Sequence, residues 1–271
     1  MIGIFDSGFG GLTILNQLIK DLPEYDYVYL GDSARSPYGN KSQEAIYKYT
    51  EEAVDFLFKK GCELVIVACN TASAKALRKI QQEYLPKNYP NKRVLGVIIP
   101  AVEMVAEKLK NNKSKKIGLI ATRSTIESGV YEAEISKLLK DFEIYKNAAP
   151  LLVSLVEEGW IKKAETKKIL KNYLRPLKEK KINVLILGCT HYPFLLKQIK
   201  VVMGKKVFII NTPEIVADKL KNYLERHPEI EKKISKNKKR VVFTTDDPRR
   251  FKIFCQKFSQ IKFQKIEKAL L

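Results

Sequence analysis

Two apolar segments of this chain share a pattern that strongly limits how it can fold. Leu64–Ser73 reads LVIVACNTAS, and Val184–Pro193 reads VLILGCTHYP. Each is a run of branched residues that ends in a small residue, a cysteine and a short polar residue, and a helix-like segment follows each run. Runs of this kind are typical of buried parallel strands. The pattern therefore predicts that Cys69 and Cys189 lie at the carboxyl ends of two equivalent strands.

Strand-like and helix-like segments alternate through the rest of the chain. The order of a strand, a polar strand end, helices and an apolar strand with a terminal cysteine occurs twice. Such alternation predicts parallel sheets with helices on both faces. We therefore predict an α/β protein of two similar doubly wound domains with mainly parallel sheets and a site in the cleft between them. The first domain is predicted to comprise residues 1–97 and 205–271, and the second residues 98–204.

Local patterns also predict individual elements. Residues 93–100, RVLGVIIP, read as a strand that Pro100 ends, with a helix from Ala101 to Leu109. One further helix is predicted from Thr71 to Tyr84, and another from Phe194 to Met203. Near the carboxyl terminus, RVVFTTDD and IKFQKIEK read as strands around one more helix, and they are expected to complete the first domain.

Composition narrows the class of protein. The 271 residues carry a formal charge of +20, which suggests nucleic-acid binding, but the lysines alternate with glutamates and lack the interleaved aromatic residues typical of base stacking. We therefore expect solvated lysine-rich surfaces and no nucleic-acid partner. No apolar run reaches the ~20 residues that span a bilayer, and the amino terminus does not read as a signal peptide. Four cysteines without close pairing predict free thiols and a cytoplasmic location.

The two strand-end cysteines suggest proton-transfer chemistry. A helix amino terminus beside such a thiol favours the thiolate and is expected to lower its pKa. With only two histidines and no CxxC motif, the sequence predicts neither a metal site nor a local redox pair, and no cofactor. Two opposed thiols can remove a proton from one face of a carbon acid and deliver one to the other face, which inverts the configuration. The alternative is that both cysteines are small apolar core residues.

Polar residues near these strand ends are candidate helpers, and each has a plainer alternative. Asp6 suits an amine contact or the orientation of a catalytic group, but it also suits a turn or helix cap. His191 is placed to polarise Cys189 or relay a proton, or else to pack at a strand end. Glu157 follows an apolar run and either enters the same crevice or caps a surface helix. Tyr38 and Gly39 offer backbone donors or form a turn.

Four motifs carry a family resemblance: DSGFGG (Asp6–Gly11), GDSARSPYG (Gly31–Gly39), VACNTAS (Val67–Ser73) and LGCTHYP (Leu187–Pro193). In this order, and spread through nearly the whole chain, they resemble the glutamate racemases of the aspartate/glutamate racemase superfamily. These are cofactor-independent enzymes that make D-glutamate for peptidoglycan, and many members are homodimers. The resemblance implies two α/β domains with the substrate between them. Within the superfamily, racemases acting on aspartate or a hydantoin are the alternative.

The resemblance also implies roles for single residues. Cys69 is implied to deprotonate D-glutamate and Cys189 to deprotonate L-glutamate, each reprotonating the carbanion that the other forms. Asp6 is implied to assist Cys69, and Glu157 and His191 to assist Cys189. Predicted substrate contacts are Asp6, Ser7, Pro37, Tyr38, Gly39, Asn70, Thr71, Thr122, Thr190 and His191. One departure from the family pattern lies outside these motifs, where Asn211 and Thr212 replace an Asp-Ser or similar pair.

Overall fold

The fold contains ten strands, described by a computed structural model of residues 1–259 and 261–271. In chain order the strands are β1 (Ile2–Asp6), β2 (Tyr27–Gly31), β3 (Leu64–Val67), β4 (Arg93–Gly96), β5 (Lys116–Ala121), β6 (Glu143–Ala148), β7 (Val184–Gly188), β8 (Phe208–Ile210), β9 (Arg240–Thr244) and β10 (Lys265–Lys268). They form a six-stranded sheet of order β10-β9-β2-β1-β3-β4 and a four-stranded sheet of order β6-β5-β7-β8. Every strand pair is parallel, which confirms the predicted α/β class.

Helices connect these strands. They are α1 (Leu12–Asp21), α2 (Gln43–Lys59), α3 (Asn70–Lys75), α4 (Leu77–Lys79), α5 (Leu85–Asn88), α6 (Ile98–Leu109), α7 (Arg123–Glu127), α8 (Val130–Leu138), α9 (Leu151–Glu157), α10 (Ala164–Glu179), α11 (Leu196–Met203), α12 (Thr212–Arg226), α13 (Pro228–Glu231) and α14 (Pro248–Phe258). Short 3₁₀ turns cover Ser33–Arg35, Tyr38–Asn40 and Tyr192–Leu195, and a π-helical turn covers Ile80–Tyr84. Within the described part of the chain, no helix has the length and apolar character that crossing a membrane requires.

The central strands are buried because both faces of each sheet are covered. In β1, Ile2 and Ile4 pack into one apolar cluster, while Phe5 packs into a second cluster on the opposite face. Alternate residues of a strand point to opposite faces, so the two clusters are the two helix-covered sides of one sheet. The second sheet likewise separates a cluster around Leu185 and Leu187 from one around Val184 and Ile186.

The chain crosses between the sheets near residue 97 and again after β8. Val97 packs with the core of the first sheet, whereas Ile98 packs with that of the second. Strand β8 pairs with β7 in the second sheet, so the predicted boundary between residues 204 and 205 lies too early. Strand β8 is only three residues long and therefore gives little indication in the sequence of the sheet it joins. We now propose that the second domain extends to Ile210.

Three local predictions also differ from the structure. Strand β4 ends at Gly96 and α6 begins at Ile98, three residues earlier than predicted, because Pro100 is compatible with the first turn of a helix. The helix predicted from Thr71 to Tyr84 is divided into α3, α4 and the π-helical turn. The helix predicted from Phe194 begins instead with a 3₁₀ turn, and α11 starts at Leu196.

Candidate active site

Both strand-end cysteines line one small cavity between the carboxyl ends of the two sheets. Cys69 follows β3 and precedes α3, while Cys189 directly follows β7. Both are buried, and the cavity between them measures about 20 Å³. Its walls are formed by Ser7, Ser36, Pro37, Tyr38, Gly39, Cys69, Asn70, Thr71, Thr122, Val153, Cys189, Thr190 and His191. The topology thus brings together two segments that are far apart in sequence, at the sheet edge where α/β proteins bind ligands.

The Cys69 thiol lies in a buried setting that favours its protonated form. Its Sγ lies 3.4 Å from Oγ of Ser7 and accepts a hydrogen bond from the backbone N–H of Ala72. Burial, followed by the negative charge of Asp6, raises the pKa of the Cys69 thiol to about 12, although the contacts with Ser7 and Ala72 lower it. The expected lowering of this pKa by a helix amino terminus is therefore wrong for Cys69, because α3 is short and desolvation outweighs its N–H groups.

The Cys189 thiol has a different companion. Nδ1 of His191 lies 3.7 Å from its Sγ, and Nε2 of the same ring lies 3.0 Å from Oε1 of Glu157 at the end of α9. Burial lowers the pKa of His191, but its hydrogen bonds to Cys189 and Glu157 outweigh burial and raise this pKa to about 10. At neutral pH the imidazolium therefore donates from both nitrogens, toward the Cys189 sulfur and the Glu157 carboxylate.

Asp6, at the end of β1, connects the first sheet to the strand end that follows β7. It is fully buried, accepts a hydrogen bond from the Gly8 N–H at 3.0 Å, and accepts another from Oγ1 of Thr190 at 3.1 Å. Burial raises the pKa of Asp6, and the charge on His191 opposes that rise. Asp6 thus forms a turn, as the alternative interpretation expected, but it also holds Thr190 of the other strand end in place.

A cluster of hydroxyl groups closes the cavity on the side of α7. Oγ1 of Thr71 is hydrogen-bonded to Oγ1 of Thr122 at 2.9 Å and to Oγ1 of Thr125 at 3.2 Å. Thr122 also caps α7 by accepting from the Thr125 N–H. Gly39 packs against this cluster so closely that an added Cβ would lie 2.9 Å from Cβ of Thr122. The close packing explains why a residue without a side chain is required at position 39.

Several residues of the site were not among the predicted contacts. Ser36 and Val153 line the cavity, and Thr125 completes the hydroxyl cluster. Asp32 is fully buried and accepts from the Tyr38 hydroxyl and from Nε of Arg35 at 2.7 Å, which holds the loop of the PYG motif. Ser36 and Asp32 lie within the GDSARSPYG motif, and Thr125 lies three residues after Thr122 beyond the end of β5, so their positions could have indicated all three. Nothing in the sequence pattern separates Val153 from other core residues.

The elevated pKa of His191 predicts a pH-dependent stability. Histidine has a pKa of 6.5 in the unfolded chain and about 10 in this fold, so the folded state binds more protons between these values. The stabilisation is complete below pH 6.5 and is lost as the pH rises through 10. We expect the unfolding free energies of wild type and His191→Asn to converge by at most about 1.4 kcal/mol per pH unit. Urea titrations across this range measure that difference, and a constant difference would contradict the assignment.

Candidate metal ligands are not clustered at this site. Among residues 1–259 and 261–271, no group of three or more His, Cys, Asp or Glu side chains is placed to hold a metal ion. The arrangement instead offers two thiols, an imidazolium–carboxylate pair and several hydrogen-bond donors around one small cavity.

Several known proteins resemble this chain in both sequence and fold. A model of the Asp/Glu/Hydantoin racemase family matches residues 12–220. The glutamate racemase of Aquifex aeolicus is 44% identical over 224 residues, which cover 83% of each chain. A glutamate racemase isoform of Bacillus anthracis superposes with a TM-score of 0.89 at 33% identity, covering 100% of this chain and 97% of that one. The Francisella tularensis glutamate racemase, solved in complex with D-glutamate, superposes with a TM-score of 0.86 at 35% identity. The superposition covers 99% of this chain and 97% of that one.

These similarities extend over nearly the whole fold, including both sheets and the four motifs around the cavity. The chain therefore belongs to the Asp/Glu/Hydantoin racemase family and, within it, to the glutamate racemases, a group of isomerases.

Proposed function

We propose that this protein interconverts L- and D-glutamate by a two-base mechanism in which Cys69 and Cys189 exchange protons with opposite faces of the α-carbon. The observation that carries the proposal is the pair of buried thiols on one cavity, each at the carboxyl end of a strand from a different sheet. Relatives named glutamate racemase, one of them solved with D-glutamate, support the choice of substrate.

The surroundings of the two thiols suit different roles in the conversion of L-glutamate to D-glutamate. In the direction that the family resemblance implies, Cys189 as thiolate takes the α-proton of L-glutamate, and the His191 imidazolium beside it stabilises that thiolate. The Cys69 thiol, whose pKa is raised to about 12, then donates its proton to the opposite face of the carbanion. One C–H bond breaks and one forms, and the two sulfurs exchange their roles. The reverse reaction starts from the opposite protonation states.

Hydrogen-bond donors around the cavity are suited to an amino acid. The proposed contacts are Asp6, Ser7, Pro37, Tyr38, Gly39, Asn70, Thr71, Thr122, Thr190 and His191, and all of these except Asp6 line the cavity. Hydroxyl, amide and backbone N–H groups held in fixed positions stabilise the negative charge that builds up on the substrate carboxylate as the α-proton leaves. Asp6 would act from behind the cavity wall, through Thr190.

The two domains must separate to admit substrate. A cavity of about 20 Å³ has room for about one water molecule, and glutamate is several times larger. We propose that the sheets open and then close around substrate, which expels water from between the thiols and strengthens the electrostatic contacts that remain.

The family resemblance also guides the wider proposal. We propose that the enzyme works as a homodimer in the cytoplasm, needs no cofactor, and supplies D-glutamate for peptidoglycan synthesis. Both thiols are free and buried, which is compatible with acid–base catalysis that uses only side chains.

Racemisation of glutamate is the direct test. Protein treated with a chelator is expected to remove the optical rotation of L-glutamate and of D-glutamate, ending at the same racemic mixture. Aspartate and a hydantoin, tested in parallel, are expected to react at least about a hundredfold more slowly, since a fixed set of polar contacts discriminates strongly against a ligand that leaves them unpaired. Protein that leaves both glutamate enantiomers unchanged would refute the proposed substrate.

A further inference from the structure

Tyr131 lies in the second domain but reaches a residue of the first domain at the cavity. It belongs to α8, is fully buried, and packs with Ile135 and the core of the second sheet. Its hydroxyl donates a hydrogen bond of 2.8 Å to Oδ1 of Asn70, the first residue of α3. Asn70 lines the cavity and directly follows Cys69. A tyrosine 61 positions away from Asn70 thus makes a polar contact with the wall of the proposed substrate site.

This hydrogen bond fixes which end of the Asn70 amide faces the cavity. A side-chain amide has an oxygen that accepts and an NH₂ group that donates, and rotation by half a turn exchanges them. Because Oδ1 is engaged by the Tyr131 hydroxyl, Nδ2 is the end of the amide that can donate into the cavity. A substrate carboxylate needs donors, so an amide turned the other way would present an oxygen to it and repel it.

A second contact holds α8 in this register against the first domain. About one helical turn beyond Tyr131, Oε1 of Glu134 lies 2.7 Å from Nη2 of Arg78, which belongs to α4. The hydrogen bond and the ion pair both join α8 to the segment that follows Cys69, and both require the two sheets to be close together. Orientation of the amide is therefore coupled to the closed arrangement of the domains.

We propose that Tyr131 is a positioning residue for the reaction, which acts through Asn70 by turning its amide NH₂ group toward the substrate carboxylate as the domains close. This inference rests on the proposed racemisation of glutamate. Tyr131 itself does not line the cavity, so it contributes by orienting a group that does.

The test is a kinetic double-mutant cycle with Tyr131→Phe and Asn70→Ala. Phenylalanine keeps the buried ring and removes only the hydroxyl. Losing the orientation of this donor is expected to raise KM for glutamate about tenfold, which corresponds to about 1.4 kcal/mol. The carboxylate is already charged in the bound substrate and gains further charge as the α-proton leaves, so kcat is also expected to fall, by about threefold. On the Asn70→Ala background, Tyr131→Phe is expected to change KM less than about twofold.

A matched control comes from another buried tyrosine. The Tyr27 hydroxyl donates to the backbone oxygens of Leu18 and Leu22, far from the cavity, so Tyr27→Phe is expected to lower thermal stability without changing KM. If Tyr131→Phe leaves KM unchanged, or raises it equally with and without the Asn70 side chain, the positioning role is wrong. Wild-type protein that does not racemise glutamate would instead refute the proposed function, which separates the two failures.

Discussion

Replacing either Cys69 or Cys189 with serine is expected to lower the rate of glutamate racemisation at least about a thousandfold, within the range that a positioned acid or base contributes. A serine hydroxyl is a far weaker acid than a thiol, so it can neither take the α-proton nor return one at a useful rate. Because each turnover needs both groups, loss of either one stops racemisation. Optical rotation of L-glutamate and of D-glutamate, followed separately, measures the loss.

The chain offers a matched control for this experiment. Cys255 is a buried free thiol on α14, and its pKa is also raised to about 12 by burial, but it does not line the cavity. Cys255→Ala is expected to keep racemisation within about twofold of wild type once the amount of folded protein is matched, because substitutions remote from the chemistry act mainly through stability. Near-native activity in either Cys69→Ser or Cys189→Ser would show that the reaction does not require two thiols.

Replacing His191 with asparagine is expected to lower kcat/KM about a hundredfold, because the cation that stabilises charge on the Cys189 sulfur is removed. The loss must be equal for both enantiomers, since L- and D-glutamate have the same free energy in water. Glu157→Gln is expected to act in the same direction with a smaller effect, because a neutral amide replaces the carboxylate that pairs with the imidazolium.

A control histidine distinguishes a local from a general effect. His227 is partly exposed and pairs with Glu229 on the surface, so His227→Asn is expected to leave kcat/KM unchanged.

In wild type, activity is expected to decline as the pH rises through about 10, where His191 loses its proton. If His191→Asn keeps the same pH profile and rate as wild type, the imidazolium does not serve Cys189.

Much of the fold was predictable because the chain repeats one strong pattern. Buried parallel strands leave long branched runs, and those runs identified β3 and β7 together with the cysteines that follow them. Position at a carboxyl strand end then indicated where the two thiols should lie relative to the sheets. The sequence could also nominate Asp6 and His191, since each adjoins such a strand end.

Other features depend on tertiary packing that leaves no local signal. Tyr131 has the spacing of an ordinary core residue on α8, and only the docking of that helix on α3 reveals its contact with Asn70. Strand β8 is three residues long, which is too short for its periodicity to distinguish a strand from the segment that leads into α12. The high pKa of Cys69 follows from complete burial near Asp6, and neither effect can be read from the residues beside it.

The measurement that most directly tests the two-base account is the isotope content of both enantiomers early in the reaction of L-glutamate in heavy water. Two bases predict that newly formed D-glutamate carries deuterium at its α-carbon, because the Cys69 thiol has exchanged with solvent, while the remaining L-glutamate still carries protium. A single base that returns the same proton to either face would give early D-glutamate that carries protium. That result would contradict the assignment of Cys69 and Cys189 to opposite faces of the substrate.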